Sequence, residues 1–122
     1  MRLKELIWIS SSKKDLLKFS DDIVQSMGYG LYIAQKGGQA ENTKALKGFG
    51  GANVIEIIDS DASGTYRVVY CVKMAEVVFV LNVFQKKSKH GIKTPQEEIL
   101  LVKSRLKLAE EIYKERNKNE KK

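Results

Sequence analysis

The stretch Val54–Phe84, VIEIIDSDASGTYRVVYCVKMAEVVFVLNVF, decides the fold. Three runs within it, Val54–Ile58, Tyr66–Val72 and Val77–Phe84, are rich in β-branched and aromatic residues. Such side chains pack well on a pleated surface and lose rotamer freedom in a helix. The runs are separated by Asp59–Thr65 and by the short Lys73–Glu76 segment, connections of hairpin length. The reading is three successive antiparallel strands.

Upstream, Leu6-Ile7-Trp8-Ile9 is a further short β-compatible run, closed by Ser10-Ser11-Ser12. Ser12 followed by Asp15 is a variant of the capping box, and Leu16, Leu17 and Phe19 supply a small apolar face. Ser20-Asp21-Asp22 opens a second helix, in which Ile23, Met27, Leu31 and Ala34 recur along one stripe before Gly37-Gly38 ends it. The two helices are expected to form a hairpin across the sheet, with Trp8 beneath it. Gln39–Asn53 has no sustained period and reads as an irregular, glycine-rich loop. Downstream, Thr94-Pro95-Gln96-Glu97 combines a capping Thr, Pro at the first helical position and an early Glu. Ile99, Val102, Leu106, Ala109 and Ile112 then mark one helical face to about Arg116, leaving 117–122 as a frayed charged tail. The order β-α-α-β-β-β-α defines an α+β domain over residues 1–116: an antiparallel sheet with an N-terminal helical hairpin and a C-terminal helix.

A chain of 122 residues, 43% hydrophobic and 30% charged, suffices for one core and is too short for two domains. No apolar run approaches the ~20 residues of a membrane span, and the N-terminus does not read as a signal peptide, so a cytoplasmic protein without membrane contact is expected. Cys71 is the only cysteine and His90 the only histidine. An intrachain disulfide, a cysteine-rich zinc site and multi-histidine metal sites are thereby excluded, and no metal or cofactor is expected. A net charge of +7 favours anionic partners through long-range steering.

Leu46-Lys47-Gly48-Phe49-Gly50-Gly51 running into Val54-Ile55-Glu56-Ile57, then Tyr66-Arg67-Val68-Val69-Tyr70, then Phe84-Gln85-Lys86-Lys87-Ser88 with Thr94-Pro95 beyond, resembles the RelE/ParE toxin superfamily. The similarity is to its phage-derived Gp49-like, HigB-type branch, over about residues 3 to 112. The resemblance implies a RelE-like fold and a toxin of a type II toxin–antitoxin pair. It also implies a cognate antitoxin, of helix-turn-helix, HigA-like type, through which alone the pair would meet operator DNA. The superfamily holds both ribosome-dependent mRNA endonucleases and gyrase inhibitors.

Endonucleases of the superfamily use the RNA 2′-hydroxyl as nucleophile, so the protein must supply a base, an acid and cations for the pentavalent transition state, and no metal. Arg67 stands where family members carry a functional Arg, and its planar fork suits a phosphate. Lys86 and Lys87 end the strand where ribonuclease members place a second basic residue. Alternation lets only one of them face Arg67, and Lys86 shares a face with Asn82 and Phe84. His90 has the pKa range for proton transfer near neutrality. Lys47, Lys89 and Lys93 are candidate phosphate contacts; Tyr66, Tyr70 and Phe84 are candidates for stacking on splayed bases. The sequence departs from the RelE pattern on the strand Val54–Ile58, where lysines are replaced by apolar residues and Glu56. That carboxylate reads either as a substitute base or as the ion-pair partner of Arg67. The expected activity is mRNA cleavage on the ribosome; the alternatives are a ParE-like gyrase inhibitor and a non-catalytic module that binds nucleic acid or a protein partner.

Overall fold

The computed structural model describes residues 2–73, 76–86 and 94–120, the side chains of residues 119 and 120 excepted. Along the chain run β1 (Glu5–Trp8), α1 (Ser12–Leu16), α2 (Asp21–Gln35), β2 (Thr43–Ala45), β3 (Val54–Asp61), β4 (Gly64–Lys73), β5 (Val77–Lys86) and α3 (Gln96–Glu120). The strands form one sheet in the order β1-β5-β4-β3-β2. β3, β4 and β5 are the antiparallel meander expected from the three β-branched runs. β1 joins its edge in parallel, Leu6 opposite Val78 and Trp8 opposite Val80. β2, three residues inside the segment expected to be irregular, closes the other edge and sets Lys44 opposite Glu56.

Helices cover both faces of the sheet. α1 and α2 lie on one, where Leu16, Ile23, Met27, Leu31 and Ala34 meet Ile57, Val68, Tyr70 and Val80, and Trp8 packs beside them. Gly30 permits this seating, since a Cβ there would stand 3.0 Å from Ile57 Cδ1. On the other face Val102, Leu106 and Ala109 of α3 bury Val54, Val69, Cys71, Phe79 and Leu81. Burial on both faces explains why the strands read as nearly continuous apolar runs.

Register shifts between Val69 and Tyr70: Val69 pairs with Asn82 and Tyr70 with Val80, leaving Leu81 as the extra residue of a bulge. Leu81 thus joins the α3 core while the next residue, Asn82, also reaches α3.

The helix ends differ in part from the sequence expectation. Ser20 caps α2 as expected, its hydroxyl accepting from the Ile23 amide at 3.4 Å. Ser12 does not cap α1; it is buried and donates to the Val80 carbonyl at 3.2 Å. Ser11 holds the N-cap position and bonds the Asp15 carboxylate instead. α3 continues to Glu120, past Arg116 where fraying was expected, and is tied down by Tyr113 to Glu76 and by an ion pair between Arg116 and Glu5. Among the described residues no helix is long and apolar enough to cross a membrane.

Candidate functional site

Two charged side chains interrupt the apolar pattern of the central strands, Glu56 in β3 and Arg67 in β4, and the pairing brings them together. Glu56 lies opposite Val69 and Ile58 opposite Arg67, so the charged residues are diagonal neighbours on the α3 face. Arg67 Nη1 donates to Glu56 Oε1 at 2.8 Å, with the two residues 1% and 0% exposed. From β2, Lys44 brings its Nζ to 3.5 Å from the same oxygen. The other oxygen, Oε2, accepts from the Thr94 hydroxyl at 3.0 Å. One buried carboxylate therefore collects two cations and a hydroxyl from β2, β4 and the residue pair preceding α3. That multiplicity is what makes the burial tolerable, because each ion taken from water costs several kcal/mol unless paired and hydrogen-bonded.

Of the two sequence readings of Glu56, the geometry realises the ion-pair partner. Arg67 is not the accessible phosphate cation expected from its place in the strand, because its guanidinium is turned onto Glu56 beneath α3. The Thr94 hydroxyl, expected as a helix cap, donates to Glu56, while the Pro95 carbonyl takes the Glu98 and Ile99 amides at 3.0 and 3.1 Å.

Lys86 pairs with Thr65, two residues beyond the Arg67–Phe84 pair, and so stands on the Arg67 face at the end of β5, partly exposed. Lys87, Lys89, His90 and Lys93 lie outside the described residues. Lys47 is exposed in the β2–β3 connection, past the Leu46–Val54 hydrogen bond. From the Val54 row to the Ser60–Thr65–Lys86 row is six residues, about 20 Å at the rise of a strand. Lys47 and Lys86 therefore serve opposite ends of the sheet and do not form one cluster.

The proposed base-stacking aromatics are corrected by burial. Tyr70 is 2% exposed in the α2-side core, and Tyr66 packs edge-to-face on Phe19 with ring centroids 4.7 Å apart. Phe84 is buried on the α3 side. With helices on both faces, neither side of the strands offers an aromatic ring to a base.

A second polar group, not read from the sequence, fixes α3 at the bulge. Asn82 Nδ2 donates to Glu98 Oε2 at 2.6 Å, and its Oδ1 accepts from Arg105 Nη1 at 3.1 Å. Arg105 also reaches the Leu81 carbonyl at 3.1 Å and Ser11 Oγ at 3.3 Å. The only available signal was Asn82 itself, a polar residue within an apolar strand. Among ordinary titratable groups, burial pushes the Cys71 thiol up to about 12, leaving it an inert core residue. Two hydrogen bonds from Ser63 hold the exposed Asp61 carboxyl below its usual value in the β3–β4 turn. Among the described residues no group of His, Cys, Asp and Glu is arranged to hold a metal.

The mixed sheet with helices on both faces and a buried charge cluster under α3 defines an α+β protein of one sheet. The family described as phage derived protein Gp49-like matches residues 14–107, and the chain belongs to that family. Among solved structures it is similar to a mutant of the Escherichia coli toxin RelE in the free state, at 24% identity and a TM-score of 0.49, over 70% of this chain and 84% of that one. It is also similar to the toxin–antitoxin complex RelBE2 of Mycobacterium tuberculosis, at 16% identity and a TM-score of 0.47, over 72% of this chain and 97% of that one. No curated protein matches it.

Proposed function

We propose that this protein is the toxin of a toxin–antitoxin pair and that it cleaves mRNA on the ribosome in the cytoplasm, without a metal, through the RNA 2′-hydroxyl. Family membership across residues 14–107 carries the reading. The order of the Leu46–Gly51, Tyr66–Tyr70 and Phe84–Ser88 segments and the net charge of +7 support it.

In this reading Lys86, with Lys87, Lys89 and Lys93 beyond it, contacts the phosphates, and His90 transfers the proton. Arg67 holds Glu56 and Thr94, and thereby the start of α3, beside that basic segment; it contacts the phosphate only if the substrate displaces Glu56. Lys47 is a separate RNA contact, about 20 Å away along the sheet. The partner is an antitoxin of helix-turn-helix type encoded beside the toxin, which covers the basic end or the α3 face.

The test is 5′-end mapping of ribosome-bound mRNA after expression of the wild type, Lys86→Ala and His90→Gln. Removing a preorganised charge from a transition state costs ~10²–10³ in rate, whereas a partly exposed strand-end substitution leaves the melting temperature nearly unchanged. Full cleavage by both variants would refute the site. Intact mRNA with inhibited DNA supercoiling would replace the endonuclease by a gyrase inhibitor, and absence of toxicity would leave a binding module.

A further inference from the structure

On the sheet face opposite Glu56 and Arg67, a cavity of about 440 Å³ opens between the end of α2 and strands β3 and β4. That volume lies in the ~300–1,000 Å³ range of small-molecule pockets. Ala34, Ile55 and Val72 form its apolar lining, and Lys4, Asn53 and Tyr70 contribute polar groups, while the Gly37-Gly38 backbone closes one side.

The cavity's lining includes a cation, Lys4, and a phenol donor, Tyr70, groups that suit an anion. Tyr70 is 2% exposed as a residue, and its hydroxyl, with no hydrogen-bond partner among the described residues, is the part of it left accessible to the cavity it lines. Burial raises the Tyr70 phenol above its ordinary pKa, so it remains a donor. The last carbonyls of α2 are already spent: Ile33, Ala34 and Gln35 accept from the amides of Gly38, Gly37 and Lys4. Lys4 is held in place by its backbone, which also accepts from Gln35 Nε2 at 2.8 Å. Its Nζ lies over Gly37, 3.2 Å from where a Cβ would stand, and Gly37 has φ +95°. Only a glycine accommodates both that backbone and that ammonium comfortably. Among the described residues no Asp or Glu lines the cavity.

We propose that this cavity binds a small organic monocarboxylate, its carboxylate held by Lys4 Nζ and the Tyr70 hydroxyl and its apolar body against Ala34, Ile55 and Val72. The site is separated from the Glu56–Arg67 cluster by the thickness of the sheet and does not depend on the proposed nuclease activity.

Titration of the ¹⁵N-labelled full chain with benzoate, benzyl alcohol and benzylamine tests it, three probes that share a ring and differ in charge. Benzoate is expected to shift the amides of Gly37, Gly38, Ile55, Tyr70 and Val72 saturably. Benzyl alcohol should bind about tenfold more weakly and benzylamine not measurably, as expected for loss of a charge-assisted hydrogen bond. Lys4→Met and Tyr70→Phe keep the buried carbon and should each weaken benzoate about tenfold. Val72→Phe fills the cavity and should abolish the shifts while the rest of the spectrum stays native. Unmoved cavity amides with benzoate, equal binding of benzylamine, or undiminished binding by Lys4→Met and Tyr70→Phe would each overturn the proposal.

Discussion

Glu56 is the position where a single substitution tests most of the architecture at once. Glu56→Ala removes the carboxylate that accepts from Arg67 at 2.8 Å and from Thr94 at 3.0 Å and faces Lys44 at 3.5 Å. Arg67 stays 1% exposed beneath α3 after losing its Glu56 carboxylate, and breaking a buried pair in this way costs about 3–5 kcal/mol. With an unfolding entropy of about 2.1 cal/mol/K per residue, 122 residues give roughly 0.26 kcal/mol/K, so the loss corresponds to a fall of about 12–20 °C in Tm. Arg67→Met should cost less, since the carboxylate keeps Lys44 at 3.5 Å and the Thr94 hydroxyl at 3.0 Å. The double variant Glu56→Leu/Arg67→Met removes both charges and keeps the volume, and should recover most of the loss, because hydrophobic replacement of a buried pair is often neutral or stabilising. Denaturant unfolding of the wild type, both single variants and the double variant closes a thermodynamic cycle, with a coupling of at least ~2 kcal/mol expected. Single-variant losses below about 1 kcal/mol, or strictly additive ones, would refute the buried ion pair as the organising contact of this end of the sheet.

Other expectations follow from contacts elsewhere. Arg105→Met removes the donor to the Leu81 carbonyl and Asn82, so the first half of α3 should exchange amide hydrogen faster while β3 and β4 are unaffected, as read by hydrogen exchange. Ser20→Ala should lower stability by ~0.5–1 kcal/mol, at the low end for a cap because the bond to Ile23 is long at 3.4 Å, measured by thermal unfolding. Cys71 carries a pH dependence of definite sign: its folded pKa is raised to about 12, so its contribution is whole below the unfolded thiol's value and is lost as pH rises from about 9 towards 12. The stability advantage of the wild type over Cys71→Ala should shrink across that window, and the native thiol should resist labelling at pH 8.

Much of the fold was legible because the decisive signals were local. The β-branched runs of Val54–Phe84 needed no knowledge of partners, and Ser20 and Pro95 mark helix starts by chemistry within one turn. β2 escaped because three residues, Thr43-Lys44-Ala45, cannot show a period. The parallel docking of β1 escaped because its partner lies far along the chain. Within the site, the Glu56–Arg67 pairing was present in the sequence as one of two readings, and register alone selects it. The stacking role given to Tyr70 and Phe84 failed for a specific reason: it assumed that a strand has a solvent face, whereas α2 covers one side here and α3 the other. Lys47 was read as a phosphate contact from its charge, and only strand direction places it at the opposite end of the sheet from Lys86.

The parallel edge strand also sets a timetable. Leu6 waits for Val78, a separation of 72 residues, before its ladder can form. At ~5–20 residues per second of synthesis, the growing chain spends about 4–15 s with Leu6, Ile7 and Trp8 unpaired. The apolar stripe of α2 waits as well, since the strands it covers are made after it. Closing so long a loop makes folding slow relative to a helical protein of this size. No stable domain exists on the ribosome until β5 has emerged, so a chain stalled before that point offers a protease an open N-terminal third.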